Sequence, residues 1–310
     1  MLKNNYKTTK NIKIFCLILL LFSIKTFSNG KYLFASTQVN NLSQQHLPKI
    51  ITNLEPLAAI AKSITISEDQ VAVIGGSHDH HQHFNAYDLK QIEGATIVVT
   101  INQNGRSPIN KILRNSQVKQ IYIENLPQIK ILKNFYNNDN DWHLWLSPDN
   151  AVVVANYLVA DLIKSDPKNR NKYQEKLVKF LKEHKKLIAE ANKTLDRVHI
   201  SGKYIFFHNG FRYFEDFFKL QPAVILKDDH EDAVSSKALG QLYALKNRQL
   251  AKCLIVDEVN KIKDAGKIAN SQNLQLVIID NLWKRPNIEF GNKYHQGIYF
   301  IMKNMAQQCY

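Results

Sequence analysis

Cysteine is scarce, three residues in 310, and one of them, Cys16, sits inside an apolar N-terminal run. The other two, Cys253 and Cys309, allow at most one bridge. In an exported chain such a pair reads as a disulfide; two separate buried thiols are the alternative, because sequence alone shows no proximity. Glycine (11) and proline (8) are also few. No low-complexity linker and no internal repeat interrupts the chain, and the composition is that of a globular protein.

Long hydrophobic runs are missing as well. The one apolar stretch, "IFCLILLLFSI" at residues 14–24, is too short to span a bilayer comfortably and suits the core of a signal peptide. It follows "MLKNNYKTTKNIK", which has four lysines and no acid. Thr26 and Ser28 supply small residues for cleavage after Ser28. Cys16 lies within the apolar core rather than at its small-residue end, unlike a lipoprotein acylation site. No second run approaches ~18 residues, so the mature protein is expected to be soluble and exported to the periplasm. An uncleaved membrane anchor is the alternative.

Acid is in short supply. The chain has 41 Lys and Arg against 27 Asp and Glu, a net charge of +14. Removing five lysines and no acid with residues 1–28 leaves +9. Such a charge raises the question of nucleic acid or an anionic membrane. The basic residues are scattered along helix-like stretches and are not gathered with aromatics, which argues against a nucleic-acid partner.

What is present alternates between strand and helix. Apolar, β-branched runs fall at Val71–Ile74, Thr96–Ile101, Gln120–Ile123, Tyr204–Phe207, Leu254–Val256 and Leu276–Ile279. Helical periodicity fills Leu54–Ser63, Ile109–Ser116, Asn150–Ile163, Ser236–Asn247 and Ile262–Asn270. Short strands separated by amphipathic helices predict parallel α/β sheets. One helix is unlike the rest: from Lys172 to Val198 the apolar residues keep to a single face and no Gly or Pro intervenes. Asp166 and Pro167 are its capping and first-turn candidates. The expected fold class is α/β, with two similar lobes of parallel sheet joined by one long rigid helix. The expected divisions are a signal peptide at 1–28, an N-terminal lobe at 29–165, the connecting helix at 166–199 and a C-terminal lobe at 200–310. His184, on the apolar stripe of the long helix, reads as a packed structural histidine.

Histidine is concentrated in one place. The stretch "GGSHDHHQHF" at 75–84 puts four of the chain's 11 histidines, His78, His80, His81 and His83, directly after an apolar run. Other polar residues end strands: His208 ends "KYIFFHN", Asp257 follows "CLIV" and Asp280 ends "LQLVIID". In open α/β sheets ligands bind beyond the carboxyl ends of strands. His143 stands in "DWHLWLSPDNA" between two tryptophans. An acid after a strand is often a helix cap, and a histidine between tryptophans a packed ring. As a set, however, His80, His143, His208 and Asp280 supply three imidazoles and a carboxylate, two residues from each half. That donor set suits four-coordinate Zn²⁺ in the cleft between the lobes.

These motifs resemble the periplasmic zinc-binding proteins of ABC importers, the ZnuA type of metal-binding solute-binding protein, over almost the whole mature chain. The family pattern H-x7-D-x-K is similar to His80, Asp88 and Lys90. "DPHVWLSPxNA" is matched by "DWHLWLSPDNA", "FHDAYxYFE" by "FHNGFRYFE", "CxxAE" by Cys253–Asp257, and "LDPLG" by "IDNLW". The resemblance implies that His80, His143, His208 and Asp280 are the ligands and that Cys253 pairs with Cys309. It also implies that the protein is no enzyme and delivers zinc to a membrane permease as a monomer. There are departures. The Pro before the first His is absent, and His78, His81 or His83 could take the place of His80. Asn209 and Gly210 replace Asp-Ala. Of the long acidic and His-rich loop only "NNDND" remains.

Manganese transport is the alternative within the class. Manganese-type members typically carry a Glu where His208 stands, and imidazole favours zinc. A zinc hydrolase would need an open coordination position and a general base, and no HExxH pairing is present. A basic surface adhesin would explain the charge but not the ligand motifs.

Overall fold

The computed structural model describes residues 47–75, 84–101, 105–228, 233–248, 251–257, 261–283 and 294–309. The expected signal peptide and His78, His80, His81 and His83 lie outside them. The first lobe runs β1 (Ile50–Thr52), α1 (Glu55–Ile64), β2 (Val71–Val73), α2 (Ala86–Glu93), β3 (Ile97–Thr100), α3 (Asn110–Leu113), β4 (Lys119–Tyr122) and α4 (Pro148–Ser165). The long helix α5 (Arg170–Val198) follows. The second lobe runs β5 (Tyr204–Phe206), α6 (Arg212–Phe218), β6 (Val224–Ile225), α7 (Ser236–Arg248), β7 (Cys253–Val256), α8 (Ile262–Gln272), β8 (Gln275–Ile278) and α9 (Tyr294–Gln308).

Each lobe holds a four-stranded, all-parallel sheet, in the orders β2-β1-β3-β4 and β6-β5-β7-β8. In both, the second strand of the lobe lies at one edge and the first lies inside. The inner strands β1, β3, β5 and β7 are buried on both faces, as parallel strands covered by crossover helices must be. Ile50, Ile97 and Val99 face one layer, and Ile51 and Val98 the other. In the second sheet Tyr204, Phe206 and Ile255 face one side, Ile205 and Leu254 the opposite one.

The inner faces of both sheets share one continuous core with side chains of α1, α4, α5, α6 and α9. Helix α5 has 29 residues, about 43 Å at ~1.5 Å per residue. It is packed rather than free-standing: it lies on α1 and α4 of the first lobe and on α9 of the second. Tyr173, Phe180, Leu187 and Ala191 carry that contact. At its start Asp166 accepts from the Asn169 amide at 2.7 Å and from the Tyr173 hydroxyl at 3.0 Å. A short 3-10 turn, Pro167–Asn169, leads into it.

Two strands and three helices, α2, α6 and α9, go beyond the sequence expectation. β1 and β6 have three and two residues, too short to show a period. α6, "RYFEDFF", has four of its seven residues buried and little polar contrast. The helix expected at Ile109–Ser116 shrinks to Asn110–Leu113. Cys253, opening β7, is joined to Cys309, just past α9, with Cα atoms 5.2 Å apart. Among the described residues no helix is long and apolar enough to cross a membrane.

Candidate metal centre

The carboxyl ends of the second sheet carry His208 beyond β5, Asp257 directly after β7 and Asp280 just past β8. All three are buried. From the first lobe His143 arrives on the segment before α4, at the start of a 3-10 turn, Leu144–Leu146. The segment is fixed from both sides. Ser147 caps α4 by accepting from Asn150 N, and Asn150 in turn donates to the carbonyls of Lys130 and Leu144.

His143 and His208 meet edge to face, their ring centroids 5.1 Å apart. Each ring is oriented by a buried carboxylate. His143 Nδ1 lies 2.8 Å from Asp141 Oδ1, which also accepts from the His143 backbone N–H at 2.9 Å. His208 Nδ1 lies 2.9 Å from Asp257 Oδ2. With Nδ1 committed to a carboxylate, Nε2 is the nitrogen each ring would present to a metal, and the carboxylate raises its basicity. Burial works against the charge on Asp257, but the His208 imidazole, by charge and hydrogen bond, and the His143 charge hold its carboxyl below the usual range. The second oxygen of both Asp141 and Asp257 is buried without a hydrogen-bond partner among the described residues.

Asp280 accepts from Leu282 N at 2.9 Å and precedes Asn281, whose side chain reaches the Asp257 carboxylate. The structure therefore brings His143 and His208 together and sets Asp280 beside the network that holds His208. Among the described residues no three of His, Cys, Asp and Glu are grouped to hold a metal ion. The residues flanking the histidine loop do touch: a Cβ on Gly75, which has φ +75°, would come within 2.6 Å of the Phe84 ring. The loop's two ends are thus held together just past β2. Asp88, from the same motif, closes a capping box with Asn85 at the start of α2.

Sequence reading passed over Asp141, although it lies two residues before His143 in the quoted motif. An acid at that spacing is the signal that finds it. Asp257, in the sequence a strand-end acid, holds His208 in the fold. The lobes are further tied by Asp228, beyond β6. It accepts from the backbone N–H groups of Phe135 at 2.9 Å, Tyr136, and Asn137 at 3.0 Å, and from the Asn209 amide at 3.1 Å. Asn209 thus supports the loop between the lobes. Glu215 is a core residue: it accepts from the Tyr204 hydroxyl at 2.8 Å, and burial pushes its carboxyl up to about 8.

Comparison with known proteins shows the family and the fold. The family model described as zinc-uptake complex component A, periplasmic, matches residues 50–307. The manganese ABC transporter substrate-binding lipoprotein PsaA of Streptococcus pneumoniae is 21% identical, over 94% of this chain and 95% of its own. The high-affinity zinc uptake system protein ZnuA of Haemophilus ducreyi is 21% identical, over 83% of this chain and 92% of its own. Among solved structures, a manganese-bound mutant of the periplasmic metal-binding protein of Candidatus Liberibacter asiaticus superposes with a TM-score of 0.71 at 15% identity, covering 85% of this chain and 100% of that one. A zinc-bound deletion mutant of ZnuA gives 0.71 at 20% identity, covering 85% and 98%. The matched residues span both sheets and the long helix between the lobes, and the chain belongs to the zinc-uptake complex component A family of metal-binding solute-binding proteins of ABC importers.

Proposed function

We propose that the protein binds Zn²⁺ in the periplasm through His80, His143, His208 and Asp280 and hands it to the permease of an ABC importer. The observation that supports this reading is the His143–His208 pair, in which each ring has its Nδ1 held by a buried aspartate. Two imidazoles and a third from the histidine loop, completed by one carboxylate, form a borderline-soft donor set that suits Zn²⁺ better than Mn²⁺. Binding makes and breaks no covalent bond, so the reading is of a carrier and not an enzyme, acting as a monomer after loss of residues 1–28. Manganese is the competing cargo, since a manganese protein stands among the relatives. Because α5 is packed against both lobes, release is expected to proceed by local movement of a loop or one lobe rather than by a wide hinge.

Competition titration of the purified protein with Zn²⁺ and Mn²⁺ tests the assignment. Zinc should win, and His208→Glu should lose zinc affinity by a larger factor than manganese affinity. Tighter manganese binding by the unmodified protein overturns the zinc assignment.

A further inference from the structure

Gly210, Asp257 and Asn281 lie at three positions where the sequence departs from the family motifs quoted above, which carry Ala, Glu and Pro there. In the fold these three residues touch. The Asn281 side-chain N–H₂ donates to Asp257 Oδ2 at 2.9 Å and approaches the Gly210 carbonyl oxygen at 3.4 Å. The oxygen it reaches is the one that holds His208 Nδ1. A Cβ at residue 210 would lie 2.5 Å from Asp257 Oδ2, 2.7 Å from Asn281 Nδ2 and 2.9 Å from His208 Nδ1. The arrangement therefore requires a glycine at 210. It also requires a side-chain donor at 281, which proline lacks.

Asn281 reaches the other lobe as well. Its backbone carbonyl accepts from the Trp145 indole N–H at 2.9 Å, and Trp145 packs edge to face on His143, centroids 5.3 Å apart. The Trp145 carbonyl in turn accepts from the Tyr294 hydroxyl at 2.7 Å. Asn281 is buried, so both its polar ends are spent inside the protein.

We propose that Asn281 is a positioning residue for metal binding: it fixes the Asp257 carboxylate that orients His208 and ties that pair to the His143 side of the cleft through Trp145. Gly210 is the space that permits it. The inference deepens the metal-binding reading and rests on His208 being a ligand.

The test has two readouts. In competition titration with Zn²⁺, Asn281→Ala should bind about 10–100-fold more weakly, as for loss of an outer partner of a metal ligand. In the metal-free protein, the ¹⁵N imidazole spectrum, assigned with His208→Ala, should show His208 as a single Nδ1–H tautomer, and Asn281→Ala should turn it into a mixture. Trp145→Phe, which removes the indole donor, should move both readouts the same way by less. An unchanged affinity and His208 spectrum in Asn281→Ala, or in Trp145→Phe should Asn281→Ala fail to fold, overturns the proposal. If the unmodified protein takes up no zinc, the metal reading falls, and the metal-free spectrum still decides whether Asn281 positions His208.

Discussion

His143 and His208 show how residue chemistry is set by what lies behind the ring. Taken singly each can be read as a packed core histidine; the motifs around them mark both as candidate ligands, and in the fold an aspartate takes the Nδ1 of each. On the proposed reading the third imidazole comes from the loop at 78–83. A closed tetrahedral site has one position left once His143, His208 and Asp280 are filled. His80, by its distance to Asp88, is the residue expected to take it. His80→Ala should therefore lower tight zinc affinity by orders of magnitude in calorimetry. Replacing His78, His81 and His83 together should lower stoichiometry or capture rate and spare the tight site. The reverse pattern would move the ligand to a neighbour. Trp283 marks another local trade: it has φ +56° where the family motif has Gly. Its ring fills the space above Gly297 of α9, where a Cβ would meet it at 2.6 Å.

At the scale of elements, the seam between α5 and α9 contains a buried histidine pair. His184 and His295 lie with centroids 5.8 Å apart, beside Phe180 and Phe217. Among the described residues two carboxylates come within 4 Å of them: Asp149 of α4, 3.7 Å from His184, and Glu183, 3.8 Å from His295. Lys186, Glu190 and Lys303 line the space alongside His295. Burial lowers the His184 value. Burial, and then the charge of His184, lower His295 to about 3. The His295 ring is therefore neutral in the fold through pH 5, whereas the unfolded chain takes up a proton there as pH falls through about 6.5. The seam costs nothing above that pH and loses stability below it, at about 1.4 kcal/mol per pH unit for the proton that His295 excludes. Urea unfolding at pH 7 and pH 5 should show the loss, and His295→Leu should lose about 2 kcal/mol less. Equal losses in the two proteins would sink the account.

Over the whole molecule, the Cys253–Cys309 bridge fastens the chain's end to the first residue of β7, across a sequence separation of 56. Helix α9, which carries half of the seam with α5, is held at the far end by that bond. Closing a loop of this length should contribute roughly 2–4 kcal/mol, mostly by restricting the unfolded chain. Denatured, unreduced mature protein should show no titratable thiol, and reductant should lower the urea midpoint by a matching amount. Two thiols before reduction, or a midpoint insensitive to reductant, would contradict this.

The amino-acid sequence by itself determined the alternation of strand and helix, the long helix, and the polar residues at strand ends. These are carried by local periodicity and by the strand-to-loop boundary, both readable within a dozen residues. Strands β1 and β6, of three and two residues, were not expected from the sequence and are set by the neighbours they pair with. The residues alone left the cysteine pair open; the fold brings Cys309, just past α9, to the start of β7. The roles of Asp257, Gly210 and Asn281 were decided by tertiary structure alone. Hydrogen bonds between residues 49 and 71 positions apart, such as His208–Asp257 and Gly210–Asn281, leave no periodic trace, and close approach of backbone to side chain is a property of the assembled site.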